Sequence, residues 1–202
     1  MAMGNADKFD MIADIYDTPE RVRIAKLSAD AIREHLVDTK NKDAIDFGCG
    51  TGIIGLELLE NFRSVLFVDS SQKMISQVNQ KIYRSNMHNA ATLCFDFEQG
   101  NLSYLHSDYI FMAQVLLHIK DVAPVLSRLY GVLKEGGHLL IVDFDKNDSV
   151  VSDIVHNGFD QAELADMMTQ AGYRDIRSRT FYTGSKIFIG QDALLFILDS
   201  RK

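Results

Sequence analysis

Proline is scarce in this chain. Of 202 residues only Pro19 and Pro124 are proline, and both suit the first turn of a helix, where the missing N–H is not needed. Cysteine is equally scarce: Cys49 and Cys94 form no paired spacing, which excludes a disulfide framework and fits a reduced, cytoplasmic setting. Basic charge is in deficit, with Lys+Arg at 21 against Asp+Glu at 28 and a formal net charge of −7. A duplex nucleic-acid footprint needs clustered Lys and Arg to replace counterions, so no large one is expected, whereas a small nucleotide ligand stays open. No apolar run approaches the ~18 residues of a membrane span. The opening Met1-Ala2-Met3-Gly4-Asn5-Ala6-Asp7 lacks the apolar core of a signal peptide, and no membrane association is expected. There is no internal repeat and no low-complexity linker. His35, His88, His106, His138 and His156 show no metal-ligand spacing, so no metal site is expected.

What is present is the balance of a globular protein, 47% hydrophobic and 24% charged. The length suggests a single domain over 1–202, with an N-terminal segment and helix over 1–38 and a sheet-and-helix body over 43–198. A chain of this size buries roughly 70% of its unfolded surface and needs no staples to fold. Apolar strands alternate with amphipathic helices. Thr18-Pro19-Glu20-Arg21 reads as a cap and helix start, with Val22, Ala25, Leu27, Ala29, Ile32 and Leu36 at roughly helical spacing. Ala44-Ile45-Asp46-Phe47 is a short strand, 53–59 a helix and 64–69 a strand. Ser71 caps a helix running to about Ser85 whose inner stripe is Met74, Ile75, Val78 and Ile82. Strands follow at 91–95 and 109–112, and a helix over 121–133 is expected to end at Gly136-Gly137. A strand over 138–144 precedes a helix opened by Asp160-Gln161-Ala162-Glu163 and closed by Gly172. The chain ends in strands at 176–182 and 187–198, with Gly184 in the turn. Strands separated by helices imply a parallel, doubly wound α/β sheet, and a closing pair joined by a short turn is antiparallel.

Ligands of such sheets bind at the carboxyl ends of the strands. The first strand-to-helix turn is Asp46-Phe47-Gly48-Cys49-Gly50-Thr51-Gly52. Two frames compete. Gly50-x-Gly52-x-x-Gly55 satisfies the dinucleotide pattern, and Asp69 lies 19 residues after Gly50. That frame needs an apolar strand running up to Gly50, which Asp46, Gly48 and Cys49 interrupt. The alternative is Asp46-x-Gly48-x-Gly50-x-Gly52, with the acid at the strand tip; Gly55 then serves close helix–sheet packing.

The second frame resembles the class I S-adenosylmethionine-dependent methyltransferases, a Rossmann-like seven-stranded fold, mostly parallel with an antiparallel C-terminal strand. The resemblance covers about residues 9–198 and implies S-adenosyl-L-methionine as cofactor. By that resemblance the glycine loop, Gly48, Cys49, Gly50 and Gly52, wraps the methionine part, and Asp69 with its neighbour Ser70 takes the ribose hydroxyls, since one carboxylate accepts two hydrogen bonds. Asp96 pairs with the adenine amino group, and Phe97 offers a backbone N–H to the ring. Met74 covers the adenine. Phe9-Asp10-Met11-Ile12-Ala13-Asp14-Ile15-Tyr16-Asp17 looks like the F-D-x-x-A-x-x-Y-D stretch of the ubiquinone/menaquinone-biosynthesis-like branch. It implies a lid whose Tyr16, with Arg21, reaches the methionine carboxylate, while its acids stay in water.

Bland readings stand beside these. Asp69, next to Ser70-Ser71, also reads as a helix cap. Met74 also reads as core, and Cys49 as a small loop residue with nothing near it in sequence to lower its pKa. After the fourth strand comes Met112-Ala113-Gln114-Val115-Leu116-Leu117-His118-Ile119. Gln114 stands at the strand tip, for cofactor or acceptor, and His118 is a candidate general base or a structural histidine. No N/D-P-P-Y/F motif, no Pro-Cys dipeptide and no glutamate pair flanks that loop, so adenine-N6, cytosine-C5 and protein-arginine chemistry are not expected. The expected function is methyl transfer to a small-molecule acceptor by in-line displacement. An NAD(P)-dependent oxidoreductase using 50–55 and a non-catalytic cofactor-binding protein are the alternatives.

Overall fold

The computed structural model describes residues 5–96 and 104–202. The chain divides into two compact units, one ending at Asn101 and the other beginning at Leu102. Their strands belong to one seven-stranded sheet.

The first unit opens with α1 (Asn5–Ile12), a short 3-10 turn at Ala13–Ile15, and α2 (Pro19–Arg33). Parallel strands β1 (Asp43–Phe47), β2 (Ser64–Asp69) and β3 (Ala90–Cys94) follow, in the order β3-β2-β1. Helices α3 (Ile53–Leu58) and α4 (Gln72–Arg84) connect them. Ala44, Ile45 and Phe47 are all buried, as expected of a strand covered on both faces. The local signals account for the helix starts. The Thr18 side chain accepts the Arg21 N–H ahead of Pro19, and Ser71 accepts the Met74 N–H. Ile24, Ala29 and Ile32 of α2 and Met74, Ile75 and Val78 of α4 form the buried stripes; each large side chain contributes ~1.5–3 kcal/mol on burial.

The second unit holds β4 (Ser107–Ala113), α5 (Val122–Val132), β5 (Leu133–Phe144), α6 (Gln161–Gln170), β6 (Arg174–Phe188) and β7 (Gln191–Arg201). β4 and β5 are parallel; β7 runs antiparallel to both β5 and β6. Leu139, Leu140, Ile141 and Val142 of β5 and Leu195, Phe196, Ile197 and Leu198 of β7 are fully buried, with Ile141 beside Leu198 and Val142 beside Ile197. Buried polar groups are satisfied: the Tyr173 hydroxyl donates to the Leu126 carbonyl at 2.9 Å. The His138 ring stacks on Tyr109 and lies 2.8 Å from Asp199. The sheet is therefore mixed, mostly parallel, with β7 the antiparallel strand.

Two boundaries differ from the sequence expectation. Gly136-Gly137 does not end a helix. α5 stops at Val132, and the glycines lie inside β5, where a Cβ on Gly137 would sit 2.9 Å from the Asp108 carbonyl oxygen. Nor is Gly184 the hairpin turn. It pairs with Ala193 within β6, and the turn is Ile189-Gly190, both at positive φ, between the paired Phe188 and Gln191. Among the described residues no helix is long and apolar enough to cross a membrane.

Candidate functional site

The first unit's strands end together in acids and glycines. Asp46 stands near the end of β1 and Asp69 at the end of β2, beside Cys94 of β3. The chain leaves β1 through Gly48, Gly50 and Gly52, at φ +65°, +53° and +80°. This left-handed path is costly for residues with a Cβ. It is tied down at both ends: the Cys49 N–H donates to the Val68 carbonyl at 3.0 Å and the Gly52 N–H to the Cys49 carbonyl at 2.8 Å. A Cβ on Gly52 would lie 3.0 Å from Val78 Cγ2. Gly55 is more constrained still, since a Cβ there would fall 2.4 Å from Phe67 Cε1 and 2.5 Å from Asp46 Oδ2.

Asp46 is 2% exposed, and its Oδ2 accepts the Gly55 N–H at 3.0 Å. Burial pushes its pKa up to about 8, with the Gly55 hydrogen bond opposing and the charge of Asp69 adding. The acid at the strand tip thus seats α3 on the sheet and faces the protein. Asp69 differs. It is half-buried, its Oδ2 accepts the Gly50 N–H and its Oδ1 the Ser71 N–H, each at 2.8 Å. Burial raises its pKa, and hydrogen bonds from Ser71, Gly50 and Ser70 oppose that rise. A carboxylate offers about four acceptor sites, so Asp69 both shapes the loop and retains capacity for a hydroxyl donor. Burial raises the Cys49 thiol well above its ordinary value, which disarms it as a nucleophile.

The N-terminal segment lies across this corner. The Tyr16 ring comes within 3.7 Å of where a Gly50 Cβ would stand, and burial raises its phenol pKa. Arg21 sits over that ring at 4.4 Å and donates to the Tyr16 carbonyl; Phe9 meets it edge-on at 6.2 Å. Asp10 accepts from the Ser71 hydroxyl and, at 3.0 Å, from the Lys73 N–H. These two bonds hold its carboxyl below the usual range. Asp14 accepts from Gln77, and Asp17 from Lys81, each at 2.8 Å. Asp14 and Asp17 are exposed, as expected of the solvated face, yet together with Asp10 they also bind the segment to α4.

The structure brings Tyr16, Gly48, Cys49, Gly50, Gly52, Asp69 and Ser70 to one corner of the first unit, with Asp46 beneath it. Met74 is fully buried, the environment of a core side chain. Asp96 is exposed just beyond β3, and Phe97 lies outside the described residues. In the second unit Gln114 follows β4 at φ +56°, its N–H donating to the Val142 carbonyl at 2.7 Å. His118 is half-buried in the turn Leu116–His118. Sequence reasoning missed the residue that fixes this turn. Asp143 of β5 is fully buried and accepts the Leu117 and Phe144 N–H groups. Burial raises its pKa to about 7. It also missed Thr51 and Lys81. No local signal marks them: their partner Asp17 lies beyond the Ala13–Ile15 turn and outside any helix. Among the described residues no cluster of three metal-ligating side chains occurs.

A family model described as a methyltransferase domain matches residues 45–139. An uncharacterized methyltransferase of Schizosaccharomyces pombe is 30% identical over 128 residues, 60% of this chain and 44% of that protein. The chain spans about half the length of the curated relatives it matches. Among solved structures, the fold is similar to that of magnesium protoporphyrin IX methyltransferase from Synechocystis PCC 6803 with bound S-adenosylhomocysteine. That likeness has a TM-score of 0.75 at 17% identity and covers 98% of this chain and 95% of that one. It is also similar to Haemonchus contortus phosphoethanolamine N-methyltransferase 2 in complex with S-adenosyl-L-methionine, with a TM-score of 0.72 at 15% identity over 96% of this chain and 60% of that one. At these identities the structural likeness is one of fold, a Rossmann-like α/β sheet.

Proposed function

We propose that this chain is a class I S-adenosylmethionine-dependent methyltransferase, a single domain over 1–202 that methylates a small-molecule acceptor. The observation that carries the reading is Asp69: a half-buried carboxylate at the tip of β2, tied through the Gly50 N–H to a left-handed glycine loop, within the stretch matched by the methyltransferase-domain model. The 9–17 stretch supports the ubiquinone/menaquinone-biosynthesis-like branch.

The residues present fit the cofactor. Gly48, Gly50 and Gly52 add no side chains of their own to the loop, Asp69 offers acceptors to the ribose hydroxyls, and Tyr16 closes over Gly50. Cys49 and Ser70 line the same corner, and Asp96 serves the adenine. Asp46 acts one step back, holding α3 against the loop through Gly55. When bound, S-adenosylmethionine supplies a methyl group activated by its sulfonium sulfur. The work left to the chain is to align acceptor and methyl and to keep water out. No covalent nucleophile is needed, in keeping with the raised thiol of Cys49. Gln114 and His118 are the candidates to touch the acceptor, His118 as general base if the acceptor arrives protonated.

Thermal denaturation with added ligands tests the reading. S-adenosylhomocysteine should raise the melting temperature and NAD or NADP should not. A shift with either dinucleotide and none with S-adenosylhomocysteine would overturn it in favour of the frame over 50–55.

A further inference from the structure

We infer that Asp17, Lys81 and Thr51 form a latch that locks the N-terminal segment across the glycine loop and thereby sets how long the cofactor is retained. The inference rests on reading that loop as the cofactor site. Asp17 and Lys81 are positioning residues in it.

The segment is held by three rungs along α4. Asp10 meets Ser71 and the Lys73 N–H, Asp14 meets Gln77, and Asp17 meets Lys81. The first two rungs engage α4 alone. The third is different in kind. Lys81 Nζ donates to Asp17 Oδ2 and to the Thr51 carbonyl, each at 2.8 Å, and the Thr51 hydroxyl donates to Asp17 Oδ1. Thr51 stands between Gly50 and Gly52 and is 3% exposed. One ammonium, with three donors, therefore joins the segment, the loop and α4. Tyr16, the neighbour of Asp17, is the residue that reaches over Gly50.

Apolar contact is not the whole of the attachment. Ala13 is buried and Phe9 and Ile12 are half-buried, but Met11 and Ile15 are 70% and 73% exposed, which leaves a share of the attachment to the polar rungs. The Asp17 and Lys81 side chains are 35% and 31% exposed, enough shelter for a useful ion pair and enough solvent for salt to weaken it.

The test uses the full chain and the variants Asp17→Asn, Lys81→Met, their double and Lys81→Arg. Two readouts are taken: the dissociation rate of S-adenosylhomocysteine, and hydrogen exchange of amides 5–17 without ligand. Each single variant should speed dissociation on the order of fivefold, and the double should cost less than the sum of the two, because both break the shared Asp17–Lys81 ion pair. Amides 5–17 should exchange faster in the singles, with Lys81→Arg close to wild type. Added salt should speed dissociation from wild type and not from Lys81→Met. Unchanged dissociation in both singles, or additive effects in the double, would overturn the latch. Wild-type protein that fails to bind S-adenosylhomocysteine would overturn the cofactor reading instead, and the exchange data alone would then decide whether the latch exists. Unchanged exchange in the ligand-free variants would show that it does not.

Discussion

Asp46 and Asp69 end neighbouring strands, yet burial sends them to different work. Asp46 faces Gly55 inside the protein, and its pKa rises to about 8 from 3.8. Between those values the folded chain holds a proton that the unfolded chain has released, so the group's effect on stability becomes less favourable as pH rises through that window. Asp143, raised to about 7, acts with the same sign. Asp46→Asn keeps an oxygen for the Gly55 N–H and removes the titration. It should therefore gain stability relative to wild type at pH 8 compared with pH 5, by on the order of 1 kcal/mol or more. Urea denaturation at the two pH values measures this, and an equal difference at both would refute it. On the proposed reading Asp69 carries two duties, ligand and loop. Asp69→Ala should weaken S-adenosylhomocysteine binding by roughly 2–4 kcal/mol. It should also lower the melting temperature, because the Gly50 and Ser71 N–H groups lose their acceptor. Asp69→Asn should melt closer to wild type while still binding weakly. A calorimetric titration beside a thermal melt separates the duties, and an Ala variant that binds normally would leave Asp69 as a cap alone.

Elements were legible in the sequence wherever their signal is local. Thr18, Ser71 and Asp160 read as caps from their own neighbourhoods, and each accepts backbone N–H groups as a cap does. Gly55 reads as a packing residue because the helix that follows must lie close to the sheet. The glycine loop and Asp69 were legible for the same reason: close backbone approach and a strand-tip acid are written in consecutive residues. What escaped was set by distant partners. Nothing near Asp17 reveals that Lys81, 64 residues on, will face it. Nothing near Gly136-Gly137 reveals that β4 will hold those glycines in a strand. At the final hairpin Gly184 was the stronger turn signal, yet the fold places the turn at Ile189-Gly190. There Ile189 has φ +49° and is 55% exposed, a β-branched residue in the left-handed region with little burial in return. Asn-Gly is the preferred pair for a two-residue hairpin at positive φ. Ile189→Asn should stabilise the protein by about 1 kcal/mol, seen as a higher melting temperature, and a lower one would mean that the Ile189 side chain packs more than its exposure suggests.

For the whole molecule, ligand and fold share one equilibrium. A ligand that binds only the folded chain adds about 2.7 kcal/mol at a hundred times its dissociation constant. S-adenosylhomocysteine at that excess should shift the urea midpoint by that energy divided by the denaturant slope, and a midpoint that does not rise with the logarithm of ligand concentration would show that the ligand has no preference for the folded chain. The sheet ends in β6, fifteen residues long and mostly exposed on its side chains. An outer strand of that length is a template on which another chain's strand can grow. Here it carries Arg174, Arg177, Arg179 and Lys186 against the single acid Asp175. Its pairing with β7 slips at three places, which breaks the even ladder a newcomer would need. In a chain with a formal charge of −7, this concentration of positive charge on one strand makes two such edges repel each other, a built-in guard against aggregation through the open side of the sheet.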